Sequence, residues 1–208
     1  MVNDRHFVHL GKFAQGGALF RVVAALLFAG AAGSQHANAD CGPAKARGAT
    51  QPNAAEMHEA EVAYLPTPHH VVEAMLRLAA VSRTDVVYDL GSGDGRIPIA
   101  AAQAYGARGV GIELDGRMIE RARCNAREAG MERLVEFRQE DLFRADLREA
   151  TVVTLFLFPE MNQRLIPKLL SELRPGTRIV SHRFGLGNWP PERTIEASGH
   201  PLLLWTVP

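Results

Sequence analysis

The chain has little of several features that would define a function class at once. Its 208 residues contain two cysteines, Cys41 and Cys124, which are too few for a disulfide framework or a cysteine-rich zinc site. We expect Cys124 to pack as a small side chain. The histidines are scattered and only His69 and His70 are adjacent, so the sequence predicts no metal site.

An excess of charge of either sign is also missing. Lysine plus arginine and aspartate plus glutamate both number 23, so no overall field attracts nucleic acid or an anionic membrane. We therefore expect no nucleic-acid partner. With 47% hydrophobic residues, the composition suits one globular domain with a normal core and a short extension.

Only one apolar run stands out, and it lies near the N-terminus. Segment 22–33 is about a dozen residues long, short of the ~20 needed to span a bilayer. It follows three basic residues and precedes the small-x-small pattern of residues 37–39, which is typical of an export signal. Residues 1–39 are therefore predicted to be a signal-like or membrane-anchoring segment, with a wrongly included upstream start as a third interpretation. Residues 40–60 are predicted to be a linker, and 61–208 the functional domain. Localisation stays open between export, membrane attachment and the cytoplasm.

The sharpest motif is the stretch 86–96. A short apolar run of strand composition is followed at once by Gly91, Gly93 and Gly95, and then by the helix-compatible run 97–105. Alternate glycines let the backbone approach a ligand closely, and the following helix offers free N–H groups. Asp89, at the carboxyl end of the predicted strand, faces the crevice where open α/β sheets bind ligands, and its carboxylate can accept hydrogen bonds from a cationic amine.

The glycine spacing indicates the kind of ligand. Gly-x-Gly-x-Gly after an aspartate differs from the Gly-x-Gly-x-x-Gly that seats a pyrophosphate, which favours a ligand with an amino-acid moiety such as S-adenosyl-L-methionine. Residues 89–95 resemble the first motif of the class I S-adenosylmethionine-dependent methyltransferases. The resemblance implies an α/β fold, a Rossmann-like doubly wound sheet of seven strands ending in an antiparallel hairpin. The alternative is a glycine turn that only connects a strand to a helix.

The remaining pattern agrees with that layout. Thr67 is a plausible N-cap and Pro68 a first-turn residue for a helix through Ala80. Periodicity and turn residues then predict strands over 107–114, 135–141, 152–158 and 178–182, helices over 117–129 and 162–173, and a closing hairpin of strands 193–197 and 202–207.

Two acidic positions follow the glycine loop at spacings typical of a nucleoside site. Glu113 ends the second predicted strand about 20 residues beyond the loop, where such folds hydrogen-bond the ribose, while Asp115 is expected to cap the next helix. For Asp141 and Leu142 the family resemblance implies contacts to the adenine amino group and ring. The plainer interpretations are a solvated strand-end charge for Glu113 and a loop-capping aspartate for Asp141.

A narrower resemblance concerns the acceptor. Residues 64–68, Tyr-Leu-Pro-Thr-Pro, look like the entrance element of the protein-lysine methyltransferases of archaea and mitochondrial inner membranes, which implies that Tyr64 and Thr67 close over the donor. Phe158 and Pro159 are similar to the apolar-Pro strand ending of that subgroup and differ from the Asn-Pro-Pro-Tyr motif of many amino-group methyltransferases. With His182, they are the candidate catalytic residues. Ordinary core packing for Phe158 and a structural role for His182 are the alternatives.

Taken together, these features predict an S-adenosylmethionine-dependent methyltransferase that modifies a lysine of a protein substrate, with possible membrane association through the N-terminus. No general base stands out. Two alternatives remain open: a methyltransferase acting on a small molecule such as a lipid or quinone, and a protein that binds S-adenosylmethionine without catalysis.

Overall fold

A computed structural model describes residues 65–208 of the chain. In this part, seven strands form one sheet in the order β3-β2-β1-β4-β5-β7-β6, with four helices packed against it. In chain order the elements are α1 (His69–Leu78), β1 (Val86–Leu90), α2 (Arg96–Tyr105), β2 (Arg108–Glu113), α3 (Gly116–Glu128), β3 (Val135–Gln139), β4 (Val152–Leu155), α4 (Pro159–Glu172), β5 (Arg178–His182), β6 (Arg193–Ala197) and β7 (His200–Thr206). The predicted fold is confirmed.

The strand directions place a crevice at the centre of the sheet. β1 pairs in parallel with β2 on one side and β4 on the other, while β7 runs antiparallel to both β5 and β6. From β1 the chain winds outward first through β2 and β3 and then through β4 and β5. The carboxyl ends of β1 and β4 therefore flank the point where the order reverses, which is where open α/β sheets bind ligands.

Both faces of the sheet are covered. Val87 faces a core cluster that includes Met75 of α1 and Ile97 of α2, whereas the next residue, Tyr88, faces a second cluster that includes Leu165 of α4. Successive strand residues point to opposite faces, so a strand covered on both sides must be apolar throughout. This explains why β1 and β4 are mostly apolar, with Asp89 and Thr154 as their buried polar residues.

Several predicted boundaries are wrong, among them the ends of α1 at Leu78 and of β3 at Gln139 and the start of β7 at His200. β4 ends at Leu155, because that residue is the last one to pair with β1 and β5, and the next three residues extend beyond the sheet. Helix α4 begins at Pro159 and not at residue 162, since proline is well suited to a first helical position. Helix α1 begins at His69 after Pro68, with no side-chain cap, so Thr67 does not cap it.

Helix α3 shows one confirmed prediction and one correction. The Oδ1 atom of Asp115 accepts a hydrogen bond from the Arg117 N–H at 2.8 Å, which is the expected N-cap. Cys124 is disulfide-bonded and is not a free packed thiol; the only other cysteine, Cys41, lies outside the described residues. None of the helices described over 65–208 is long and apolar enough to cross a bilayer.

Candidate functional site

The glycine loop joins β1 to α2 in a conformation that needs glycine. Gly91, Gly93 and Gly95 have φ angles of 82°, 51° and 79°, in the left-handed region that side chains disfavour. At one of these positions the absence of a side chain is also needed for packing. A Cβ on Gly95 would lie 2.5 Å from Cζ of Phe137, so this glycine is required for packing of the loop against β3. A contribution of its backbone to ligand binding stays a prediction.

Glu113 is held against this loop. Its Oε2 atom accepts the N–H of Gly93 at 3.0 Å, and its Oε1 atom accepts the N–H groups of Leu114 and Asp115 at 2.8 and 3.0 Å. A carboxylate has about four acceptor positions, so one on Oε2 is left for a hydroxyl group. Glu113 is thus fixed by three backbone donors and is not simply a solvated charge; its contact with a ribose stays a prediction.

Asp89 lies directly behind the loop and is almost completely buried, with 4% of its surface exposed. Thr154, its neighbour on β4, donates a hydrogen bond to Oδ1 at 2.7 Å. Burial is the largest cause that raises the pKa of Asp89, to about 7, and the nearby carboxylates of Glu113 and Asp94 raise it further. A cation placed beside Asp89 would stabilise its ionised form.

Asp141 follows the end of β3, at the same edge of the sheet as Glu113. Its Oδ1 atom accepts the N–H of Phe143 at 2.9 Å, so the side chain caps its own turn. Leu142 is partly buried against the core cluster under α4. The capping role proposed as the plainer interpretation of Asp141 is therefore present, and the adenine contacts of Asp141 and Leu142 stay predictions.

The entrance segment is tied to the loop by an arginine that the sequence analysis did not single out. Arg96, the first residue of α2, donates from Nη1 to the carbonyl oxygen of Thr67 at 2.8 Å. Its guanidinium also contacts both carboxylate oxygens of Asp94, at 2.9 and 2.6 Å. Such a two-pronged pair is geometrically specific. The arginine thus fixes the segment before α1 over the loop; Tyr64, the other predicted entrance residue, lies outside the described residues.

His182 lies at the end of β5 and is 1% exposed. Its Nδ1 atom is 3.3 Å from Oγ1 of Thr67, and its Nε2 atom is 2.9 Å from Nδ1 of His200. Burial lowers the pKa of His182 to about 4, and the adjacent His200 and Arg183 lower it further. His182 is therefore neutral at pH 7. Both of its ring nitrogens have protein partners, which supports the structural interpretation more than a role as proton acceptor.

Phe158 and Pro159 lie beyond the end of β4, beside the glycine loop. The neighbouring residue, Leu157, approaches the loop so closely that a Cβ on Gly91 would lie 3.1 Å from its Cδ2 atom. Phe158 is 52% exposed, so it is not a core residue, and Pro159 opens α4. The segment that carries Phe158 therefore approaches the loop through Leu157, and roles for Phe158 and Pro159 in catalysis stay predictions.

Five other residues around this crevice were not predicted from the sequence. Arg96 ends the motif 86–96 but carries no signal of its own there, and each of the five is identified only by a contact across the fold or by its exposure. They are Arg96, Thr154, His200, Phe184, whose ring lies 6.2 Å from that of Phe158, and Leu114, which follows Glu113 with 69% of its surface exposed.

Comparison with known families decides what kind of site this is. Residues 89–193, from Asp89 of β1 to the start of β6, match the family described as the ANTKMT methyltransferase domain. The chain belongs to this family. The ANTKMT match contains the glycine loop, Glu113, Asp141, Phe158 and His182, so every candidate site residue except Tyr64 and Thr67 lies within it.

Individual relatives of this ANTKMT-type chain agree. It is 42% identical to a protein-lysine N-methyltransferase of Saccharolobus islandicus, over 70% of this chain and 94% of the relative. It is 39% identical to the adenine nucleotide translocase lysine N-methyltransferase of Mus musculus, over 65% of this chain but only 58% of that protein's length.

One solved structure has a higher sequence identity to this chain than these two relatives have. A protein of Salinibacter ruber, described as an RNA methyltransferase in complex with S-adenosyl-L-homocysteine, is 58% identical and has a TM-score of 0.69. The alignment covers 69% of this chain and 94% of that one. The predictions of a class I methyltransferase, and of S-adenosylmethionine as its cofactor, are confirmed.

Proposed function

We propose that this ANTKMT-type methyltransferase transfers the methyl group of S-adenosylmethionine to a lysine side chain of a protein substrate. The observation that carries the proposal is the 42% identity to the archaeal protein-lysine N-methyltransferase over nearly its entire length. The site geometry is consistent with it, because Leu157 approaches the glycine loop and the next residue, Phe158, is an exposed aromatic side chain.

The residues around the loop fit the cofactor. Glu113 keeps one acceptor position on Oε2 for a ribose hydroxyl, and Asp89 lies where a cationic amine would stabilise its ionised form. The buried Oγ of Ser92, within the loop, has no hydrogen-bond partner among the described residues. Exposed Leu114 and partly buried Leu142 are apolar neighbours for an adenine ring.

The acceptor amine must lose a proton before it can attack the methyl group. S-adenosylmethionine supplies an electrophilic methyl group on a sulfonium, and the attacking amine must be neutral. Losing a proton from a lysine of unperturbed pKa of about 10.4 costs roughly 4–5 kcal/mol at pH 7. Apolar surroundings favour the neutral amine. The protein's main task is to align the two reactants.

The domain assignment and the membrane association are also proposals. The family match lies inside the proposed domain of residues 61–208, and residues 1–39 are proposed to direct the protein to, or through, a membrane. A substrate embedded in or attached to a membrane would suit this arrangement. Support comes from the mouse relative, which is named for a translocase substrate.

The test is methyl transfer from isotope-labelled S-adenosylmethionine into soluble and membrane fractions of the source cell, with the full chain as enzyme. A labelled protein band that yields methyl-lysine on mass spectrometry is the expected result. Label confined to extractable small molecules would identify a lipid or quinone methyltransferase. Binding of S-adenosylhomocysteine without any transfer would identify a non-catalytic protein.

RNA is a second candidate acceptor, because the Salinibacter ruber protein is described as an RNA methyltransferase. The balanced charge of the chain gives no overall attraction to a phosphate backbone, so we favour protein. The same labelling experiment separates the two when each fraction is treated with protease or with ribonuclease before counting. Label that survives protease and is released by ribonuclease would overturn the lysine proposal.

A further inference from the structure

Three phenylalanine rings form a continuous surface beside the donor loop, which we call the aromatic wall: Phe156, Phe158 and Phe184. The rings of Phe156 and Phe184 are nearly parallel, with centroids 6.3 Å apart, and the rings of Phe184 and Phe158 are 6.2 Å apart. At its inner end Phe156 packs on the ring of buried His182 at 4.1 Å. At its outer end Phe158 is 52% exposed. The wall therefore leads from the interior to the surface.

The turn that carries Phe184 is strained and firmly held. Arg183 has φ of 71°, and the N–H of Phe184 bonds to the carbonyl of His182 at 2.9 Å, which makes a tight turn that is rare for residues other than glycine. Strain of this kind persists only where the surroundings enforce it. It is a first sign that the position of Phe184 matters.

Two buried polar side chains enforce this turn. Ser181 Oγ donates to the carbonyl oxygen of Phe184 at 2.6 Å, and Asn162 Nδ2 donates to the carbonyls of Phe184 and Gly185 at 3.3 and 3.2 Å. Asn162 is 0% exposed, and its Oδ1 atom has no partner within the described part of the chain. An unsatisfied buried oxygen is costly. The fold bears that cost at the residue that holds Phe184 opposite Phe158.

We propose that the aromatic wall is the acceptor subsite, and that Phe158 and Phe184 bind the ammonium and methylammonium forms of the substrate amine through their ring faces. This deepens the proposed function and rests on it. A cation over such a face is attracted to the negative ring quadrupole, and alkylated ammonium groups are favoured ligands of aromatic surfaces. Because the two centroids are 6.2 Å apart, one cation can lie within about 6 Å of both.

The charged groups nearby are compatible with this assignment. His182 at the inner end is neutral at pH 7 because burial lowers its pKa, so it does not repel a cationic amine. Glu160, two residues after Phe158 in the first turn of α4, is exposed and attracts one. Arg183 is exposed and would repel a cation, and solvent screens both this repulsion and the attraction of Glu160.

The test uses two tripeptides and the full chain saturated with S-adenosylhomocysteine. One tripeptide carries trimethyllysine, and the other carries its neutral isostere, in which carbon replaces the quaternary nitrogen. We expect NMR titration to show about five- to ten-fold tighter binding of the charged peptide. Phe158→Leu and Phe184→Leu keep an apolar side chain without a ring face, so both should abolish this preference, whereas Phe184→Tyr should retain it.

A matched control separates the loss of a ring face from the loss of any exposed apolar side chain. Leu170→Ala removes another exposed apolar residue of similar exposure, 46%, elsewhere on α4, and should leave the preference unchanged. Phe158 is half exposed, so its leucine variant does not depend on refolding of the core. Equal binding of the two peptides to the wild-type chain, or an unchanged preference in both leucine variants, would overturn the subsite.

Failure of the subsite is distinguishable from failure of the proposed function. If the labelling experiment yields methyl-lysine while the charged peptide shows no preference, lysine methylation stands and the aromatic wall is not its amine site. If label enters RNA instead, and nucleosides but not the charged peptide shift the resonances of Phe158 and Phe184, the wall stacks bases and both proposals fall.

Discussion

The Nε2 atom of buried His182 lies 2.9 Å from Nδ1 of His200, while its Nδ1 atom contacts the hydroxyl of Thr67 at 3.3 Å. A neutral imidazole thus joins the ends of β5 and β7 to the segment that enters α1. Protonation would make both ring nitrogens donors and would place a charge in a desolvated position. Acid should therefore loosen this side of the site first.

The first prediction concerns the pH dependence of stability. Burial lowers the pKa of His182 in the folded state to about 4, against an ordinary value of 6.5, so the unfolded chain binds more protons between these limits. The contribution of His182 to the free energy of unfolding is complete above pH 6.5 and is lost as the pH falls towards 4. Linkage sets it on the order of 2 to 3 kcal/mol.

His182→Asn removes the titrating group and should flatten this part of the stability curve. Urea unfolding at pH 7 and at pH 4.5 measures the effect in both proteins. If wild type and variant lose the same amount of stability between pH 7 and pH 4.5, His182 does not control the loss of stability in acid.

The pH dependence of stability that Asp89 contributes has the opposite sign to that of His182. Its pKa is raised from 3.8 to about 7, so the folded state favours the protonated form, and stability is lost as the pH rises from 3.8 towards 7. Without the donor, Asp89→Asn should stabilise the chain at pH 8 by about 2–4 kcal/mol, with little effect near pH 4. The same change should weaken binding of S-adenosylhomocysteine at least tenfold by calorimetry. A variant no more stable than wild type at pH 8 would contradict the burial argument.

Glu113 is predicted to bind the donor ribose. Glu113→Ala removes the acceptor and should weaken binding of S-adenosylhomocysteine at least tenfold, because it also leaves the Gly93 N–H without its carboxylate partner. Glu113→Gln, which keeps one acceptor oxygen, should lose less. Glu120→Ala, an exposed glutamate on α3, is the control and should bind normally. Unchanged affinity in Glu113→Ala would remove this residue from the site.

Gly95 and Gly176 separate backbone strain from packing. Both have positive φ, 79° and 86°, so alanine at either position should cost about 1 kcal/mol through the backbone. A Cβ at Gly95 would also lie 2.5 Å from Phe137 and 2.9 Å from Cβ of Ala122, whereas a Cβ at Gly176 meets no described atom within 4 Å. Overpacking adds about 1–3 kcal/mol, so Gly95→Ala should destabilise clearly more than Gly176→Ala in denaturant melts. Equal losses would mean that the loop yields to the new methyl group.

Much of the fold could be predicted because the local signals agree with each other. The mostly apolar composition of β1 suits a sheet covered on both faces, and the observed β1 and β5 match the predicted strands closely. The end of β4 could not be predicted in the same way. Phe156 and Phe158 are as apolar as the strand before them, and only the pairing partners on β1 and β5 decide where the ladder stops.

The candidate site likewise has a part that the sequence predicts and a part that it does not. Glycine spacing and the distance from the loop to Glu113 are properties of one continuous segment, so they predict the donor side of the site. Thr67 shows the limit of local reasoning. Its position before a helix suggested an N-cap, but a histidine 115 residues away in the chain accounts for its hydroxyl contact.

By itself, the sequence determined the fold class and the methyl donor, because a strand, a glycine loop and a helix are adjacent in the chain. Only the tertiary structure decided which residues meet around the acceptor. Phe158 and Phe184 are 26 positions apart in sequence, and their rings lie 6.2 Å apart because β4 and β5 end side by side. The strained turn at Arg183 and the orphaned oxygen of Asn162 are likewise consequences of packing, which no local pattern encodes.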